Sequence, residues 1–261
     1  MSEHQEDVRK QFGPSAAAYR DAPLFAQGSD LQKLIATARL SGNERVLDLG
    51  TGAGHTALAF AGEVREVIGI DVTPEMIQTA RALAQERGVT NVDFQVADAA
   101  QLPFPENCFD RVTCRMAMHH FPHLEQVLHE VARVLVPGGQ LLVVDHYAPD
   151  EDELDDFINA IERLRDPSHI REYRIAEWQS AFAMAGLTFA VCDRWDLPLL
   201  VGEWVARSRT PKAQCEVIMI RMRMASQNCR ETFQIEFDNN GVPLSFCLKT
   251  ALFQGMKQAA D

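Results

Sequence analysis

The sequence predicts an α/β fold in which an open, mostly parallel sheet carries helices on both faces. Three observations lead there. From Arg45 onward, short runs rich in branched and aliphatic residues alternate with segments of helical periodicity, the pattern of strand–helix–strand units. The first run leads into three glycines within five positions, Gly50, Gly52 and Gly54, a turn with bare backbone. Asp48, Asp71 and Asp98 mark the carboxyl ends of three successive runs, the rim where ligands of such sheets lie.

Taken in order, residues 1–40 read as mainly helical, with Leu31, Leu34 and Ile35 on one apolar face. "RVLDL" (45–49) is the first strand and "EVIGID" (66–71) the second. The next helix has Thr73 as its N-cap, Pro74 in its first turn and Gly88 at its end. Met76, Ile77, Ala80, Leu83 and Ala84 form its apolar stripe. "VDFQVAD" (92–98) and "DRVTCRM" (110–116) are the third and fourth strands. Leu124, Val127, Leu128, Val131 and Leu135 recur at helical spacing, and "PGG" (137–139) is expected to end that helix. "QLLVVD" (140–145) is the fifth strand, and the runs 187–200 and 243–253 are two more, the last preceded by the turn "DNNG" (238–241). Segments 150–180, acidic at its start, and 200–240 stand outside the alternation. They are expected to be ligand-side insertions and residues 1–40 a helical lid, around a ligand-binding core at 41–149, with the last strand and tail at 241–261. All belong to one domain.

At 261 residues the chain is long enough to bury a sizeable core, and 46% hydrophobic with 24% charged residues is an ordinary globular balance. Lys plus Arg is 25 and Asp plus Glu 37, a net charge of −12, which argues against nucleic acid or an anionic membrane as the main partner. The start "MSEHQEDVRKQF" lacks the apolar centre of a signal peptide, and no run reaches membrane-spanning length, so a cytoplasmic protein without stable membrane insertion is expected. Six scattered cysteines contain no CxxC pair, and the histidines and acids do not recur at ligand spacings. No metal is expected. Oligomeric state stays open.

The glycines fall as GxGxG rather than the GxGxxG of dinucleotide-binding turns, with Asp48 two residues ahead of Gly50. An acid there repels a pyrophosphate and suits a cationic ligand without phosphate. Asp71, 21 positions after Gly50, can accept hydrogen bonds from ribose hydroxyls, and the chain at Asp98 and Ala99 can read an adenine edge.

At this point the sequence resembles the class I S-adenosylmethionine-dependent methyltransferases, and within them the methyltransferase type 11 branch that includes the ubiquinone/menaquinone-pathway C-methyltransferases. The matching segments are "VLDLGTGAGH" (46–55), "GIDVTPEMI" (69–77), "ADAAQLPFPENCFDRV" (97–112), "RMAMHHFPH" (115–123) and "VARVLVPGGQLLVVD" (131–145). The resemblance implies a Rossmann-like sheet of seven strands with the last antiparallel. It implies S-adenosylmethionine as cofactor and S-adenosylhomocysteine as product. By the same carry-over Gly50, Thr51, Gly52 and Gly54 approach the methionine part and Asp48 its ammonium. Asp71, with Val72 beside it, takes the ribose, Asp98 and Ala99 the adenine, and Arg115 the methionyl carboxylate.

Methyl transfer is an in-line displacement that needs an aligned, desolvated nucleophile, and a base only where that nucleophile holds its proton. Histidine is the natural base near neutral pH. His119 and His120 in "HHF" follow the fourth strand, His146 follows the fifth, and His169 and Arg171 in "RDPSHIREY" are placed to reach in from the lid. Tyr19 resembles the family's N-terminal aromatic that closes over the cofactor. His55 and Cys114 read as structural and Cys108 as exposed, while His4, His123 and His129 show no partner pattern. "VIMIRMRMA" (217–225) reads as a buried lid helix ahead of a pocket lining. The expected activity is methyl transfer to a small-molecule acceptor. The alternatives are a quinone-precursor C-methyltransferase and a cofactor-binding protein without turnover. An NAD-dependent oxidoreductase is disfavoured by the glycine spacing and Asp48.

Overall fold

The computed structural model describes residues 3–21, 26 and 28–258. Residues 1–2, 22–25, 27 and 259–261, parts of the expected lid and tail, lie outside the described residues. Helices α1 (Glu3–Phe12), α2 (Ala16–Asp21) and α3 (Ser29–Ala38) lead into strand β1 (Arg45–Leu49). The alternation then runs α4 (His55–Ala61), β2 (Glu66–Asp71), α5 (Pro74–Glu86), β3 (Val92–Val96), β4 (Phe109–Arg115), α6 (Leu124–Val134) and β5 (Leu135–His146). After it come α7 (Asp152–Arg165), α8 (Ile175–Met184), β6 (Ala190–Leu200), α9 (Val201–Arg207), α10 (Lys212–Met224) and α11 (Gln227–Thr232). A short β7 (Glu236–Phe237) and the long β8 (Pro243–Met256) end the chain.

The strands form one sheet in the order β3-β2-β1-β4-β5-β8-β6, with β7 paired to β8. β1 to β5 pair in parallel, while β8 runs antiparallel to both β5 and β6. Helices cover both faces, so side chains of alternate parity enter separate cores. Leu47, Leu49, Val112 and Val143 pack beneath α6 and α8, whereas Val46, Val67, Leu142 and Val144 pack with α3, α4 and α5. A third core, with Ile158, Trp204, Ile218, Met222 and Phe233, joins α7 to α9, α10 and α11 into a helical cap.

Three expectations change. The helix expected to run to "PGG" stops at Val134, and Leu135 already pairs with Phe109 in the sheet. "PGG" instead lies within β5, where the register with β4 shifts between Phe109 and Arg111. Segment 150–180 divides: α7 belongs to the cap, but Trp178 and Phe182 of α8 are buried against the sheet. The Met-rich helix is only half buried, since Ile218 and Met222 enter the cap core while Val217, Ile220 and Met224 are exposed.

Candidate active site

The carboxyl ends of β1, β2 and β4 open onto a cavity of about 370 Å³. Gly50, Thr51, Gly52, Asp71, Val72, Asp98, Ala99 and Arg115 all line it. The glycine turn is shaped by contacts as well as by dihedral angles. Gly50 has φ +60°, and a Cβ there would meet the Ala117 Cβ at 2.6 Å. Asp71 is tied to both neighbouring loops: its Oδ2 accepts from Gly52 N at 3.0 Å and its Oδ1 from Thr73 N at 2.8 Å. Thr73 sits at the N-cap of α5, but its side chain makes no capping bond. Each Asp71 oxygen therefore has one amide donor and lone pairs left for a ligand. Arg115 is held by Asp30 of α3, with Nε donating to Oδ2 at 2.5 Å and Nη2 to Oδ1 at 3.1 Å.

Two expected wall residues are elsewhere. Asp48 is not on the cavity wall; it is buried one layer below, where its Oδ2 accepts from Thr51 Oγ1 at 2.7 Å and its Oδ1 from Thr113 Oγ1 at 2.9 Å. The cause is strand register: Asp48 pairs with Thr113 of the central strand β4, so its carboxylate turns into the sheet and clamps the loop from beneath. Burial pushes its pKa up to about 6, against the two threonine hydrogen bonds. Gly54 also leaves the wall. At φ +87°, any Cβ there would come within 2.9 Å of Ala80 and Phe94, so this glycine serves helix packing.

Helix α1 lies across the cavity mouth. His4, Gln5, Val8 and Phe12 line the cavity. Gln5 Nε2 donates to Asp98 Oδ2 at 2.6 Å, Arg9 Nε to the Val72 carbonyl at 2.6 Å, and His4 Nε2 to the His120 carbonyl at 2.7 Å. Sequence reading missed these residues. Their signal was present, because His4, Val8 and Phe12 recur every four positions and so share one helix face. His55 begins α4 as expected, yet it also lines the cavity and its Nε2 donates to the carbonyl of Arg20 at 3.0 Å.

A smaller inner cavity of about 70 Å³ adjoins the first, and Phe12, Tyr19, Met116 and His120 line both. His119 and His146 line only the inner one. His119 Nδ1 donates to Asp145 Oδ1 at 2.6 Å, which leaves Nε2 as the ring nitrogen for a ligand. Burial by itself would lower the His119 pKa, but the Asp145 carboxylate overrides it and raises the pKa; Asp145 is lowered in return against its own burial. Burial and the His119 charge lower His120 to about 4 and His146 to about 3, so both are neutral at pH 7. Burial also raises the Tyr19 pKa.

His169 and Arg171 do not reach either cavity. His169 is buried behind His119, ring centroids 5.7 Å apart, with Nε2 donating to Asn159 Oδ1 at 3.1 Å. Its loop folds inward because the Asp166 carboxylate accepts from Ser168 N and Oγ, and Ser168 O accepts from His120 Nδ1. Arg171 pairs instead with Asp155 and Glu177. The six cysteines are free thiols, Cys114 buried and Cys108 half-buried rather than exposed. Among the described residues no group of three or more His, Cys, Asp or Glu side chains is arranged so that it could hold a metal ion.

Comparison with known proteins gives one consistent answer. A family model described as "Methyltransferase domain" matches residues 40–192. The Bacillus subtilis (strain 168) protein YcgJ, named an uncharacterized methyltransferase, is 47% identical over 247 residues, which are 95% of this chain and 98% of that protein. The crystal structure of YcgJ superimposes with a TM-score of 0.87 at 46% identity, covering 89% of this chain and 99% of that one. The ubiquinone/menaquinone biosynthesis C-methyltransferase UbiE of Ectopseudomonas mendocina (strain ymp) is 40% identical over 157 residues, 57% of this chain and 61% of that protein.

Proposed function

The chain belongs to the class I S-adenosylmethionine-dependent methyltransferases, and from that premise we propose that it methylates a small-molecule acceptor held in the inner cavity, with His119 as base. The observation that carries this reading is the shared wall. A cavity rimmed by the glycine turn and Asp71 adjoins one rimmed by His119 and His146, with Tyr19 and His120 common to both.

The residues present fit the methyl donor. Asp71 keeps lone pairs for ribose hydroxyls, Asp98 and Ala99 border the adenine side, and the Gly50–Gly52 backbone and Arg115 border the methionine side. When bound, S-adenosylmethionine supplies a methyl group on a cationic sulfur, which an aligned nucleophile displaces in line. His120 and His146, held neutral, add no positive charge beside it. His119 Nε2 takes the proton of an acceptor X–H group, and Asp145 stabilises the imidazolium that results. Helix α1 and Tyr19 act as the lid that excludes water, and the cap of α7 and α9–α11 as the acceptor side. A quinone precursor with a long apolar tail is the less favoured acceptor. The likeness to UbiE covers 57% of the chain, against 95% for YcgJ. A cytoplasmic site of action is part of the same reading; no helix among the described residues is long and apolar enough to cross a membrane.

Calorimetric titration of S-adenosylmethionine and S-adenosylhomocysteine into wild type and Asp71→Ala tests the donor site. Labelled methyl transfer to a panel of phenols, thiols, amines and organic acids, with wild type and His119→Ala, then tests the chemistry. Binding lost in Asp71→Ala and turnover lost in His119→Ala are expected. Wild-type binding without turnover on any acceptor class would sink the catalytic part of the reading.

A further inference from the structure

We propose that the outer face of α10 is the contact surface for a second copy of this chain, the two α10 helices lying antiparallel across a two-fold axis. The proposal is independent of the methyl-transfer reading.

Helix α10 is anchored on its inner side by Ile218 and Met222, which enter the cap core. A helix at the surface of a globular protein turns polar residues outward as a rule. Here the outward side carries Ala213, Val217, Ile220 and Met224, all exposed, Met224 by 79%. Their spacing of four, three and four residues keeps them within about 60° of one another around the helix axis. That is the apolar seam through which one helix pairs with another.

The side chains flanking the seam point to the same helix as its occupant. Glu216 and Arg223, seven residues apart, border it on one side, and Gln214 and Arg221, also seven apart, border it on the other. In an antiparallel pair related by a two-fold axis, like flanks face each other. Centred between Ile218 and Met219, such a pair sets Val217 against the partner's Ile220. It also sets Ala213 against the partner's Met224, a small residue opposite a long one. The same register brings Glu216 to the partner's Arg223 and Gln214 to the partner's Arg221, and symmetry makes each contact twice. Among the described residues Glu216, Arg221 and Arg223 form no ion pair within their own chain, so all three are available. A parallel pair would match Glu216 with the partner's Arg221 but leave Arg223 without an acid and align the two helix dipoles. An anionic membrane is a poorer occupant, because Glu216 stands in the rim and the chain carries a net charge of −12. Two helices about 20 Å long make less than the standard interface of about 1,200–2,000 Å², so the dimer is expected to be weak, with a micromolar Kd.

Sedimentation equilibrium of the full chain from about 1 μM to about 1 mM tests the proposal. Reversible dimerisation with a micromolar Kd is expected for wild type. Ile220→Glu should raise that Kd at least about tenfold and, at an exposed position, leave the melting temperature within about 2 °C of wild type. Glu216→Arg turns two attractive contacts into two repulsive ones and should weaken the dimer about tenfold. Adding Arg223→Glu to that variant should restore the Kd to within about threefold of wild type. A monomer throughout the range would overturn the proposal, as would a dimer indifferent to Ile220→Glu. Restoration by Arg221→Glu in place of Arg223→Glu would overturn the antiparallel arrangement. Co-sedimentation of monomeric protein with phosphatidylglycerol vesicles, lost in Ile220→Glu, would overturn the second copy in favour of a membrane surface.

Discussion

His119 Nδ1 donates to Asp145 Oδ1 at 2.6 Å, and the His119 backbone N–H donates to Asp145 Oδ2 at 3.2 Å. One buried carboxylate at the end of β5 thus fixes both the ring and the main chain of the turn after β4. The ring orientation is set by the sheet, since β4 and β5 are hydrogen-bonded neighbours.

This pair predicts a pH signature. His119 is raised above its ordinary 6.5 and Asp145 lowered below its ordinary 3.8, so their contribution to stability is complete between those values. It is lost as pH rises through the folded His119 pKa, and again as pH falls through the folded Asp145 pKa. A base must be unprotonated, so kcat should rise with pH along a limb centred above 6.5. In Asp145→Asn burial is opposed only by the weaker pull of Glu162, and the limb should move below 6.5 while kcat falls by about 10²-fold or more. A pH–rate profile of the two proteins reads both effects; an unmoved limb would remove His119 from the mechanism.

Asp48 has the opposite sign. Its folded pKa of about 6 exceeds the ordinary 3.8, so the native state holds the proton more tightly than the unfolded chain does. Wild type should therefore lose stability relative to Asp48→Asn as pH rises from 3.8 to about 6, by up to about 3 kcal/mol. Denaturant unfolding of both proteins at pH 4 and pH 8 measures the difference. A gap that fails to widen would mean that Asp48 is solvated.

The three loop glycines should not respond alike. Gly52→Ala meets no atom within 4 Å and carries only the backbone cost of φ +53°, about 1–2 kcal/mol. Gly50→Ala adds the overlap with Ala117 at the cavity wall, so S-adenosylhomocysteine affinity should fall along with the melting temperature. Gly54→Ala overlaps Ala80 and Phe94 and should lose the most stability. Melting and calorimetry of the three variants rank them.

Helix α1 has no fully buried residue, yet Gln5 and Arg9 bond to the rim and Gln11 Nε2 donates to the Ser208 carbonyl beside the cap. Such an element opens at low cost. Removing residues 1–12 should leave the melting temperature within a few degrees of wild type and speed S-adenosylhomocysteine release at least about tenfold. Stopped-flow displacement with labelled product measures the rate, and an unchanged rate would mean that α1 is no lid.

Much of the donor side was legible because its constraints are local. A turn that must pass close to Ala117 needs glycine at position 50, and an acid ending a parallel strand must face the rim, as Asp71 does. Asp48 obeyed the same pattern and still turned inward, because its orientation depends on Thr113, 65 residues away. "HHF" led to the wall of the smaller cavity, but which histidine has its pKa raised depends on Asp145, and the sequence holds no trace of that choice.

The sequence by itself determined the alternating sheet and its order of elements, the glycine turn and the rim positions of Asp71 and Asp98, since periodicity and backbone freedom act over a few residues. The tertiary structure alone decided which of four clustered histidines has its pKa raised and which have theirs lowered, that His169 and Arg171 serve the interior, and that Arg165 and Arg207 meet in one cavity. Those outcomes are set by burial and by charges brought together from distant segments, and electrostatic energy depends on distance in space.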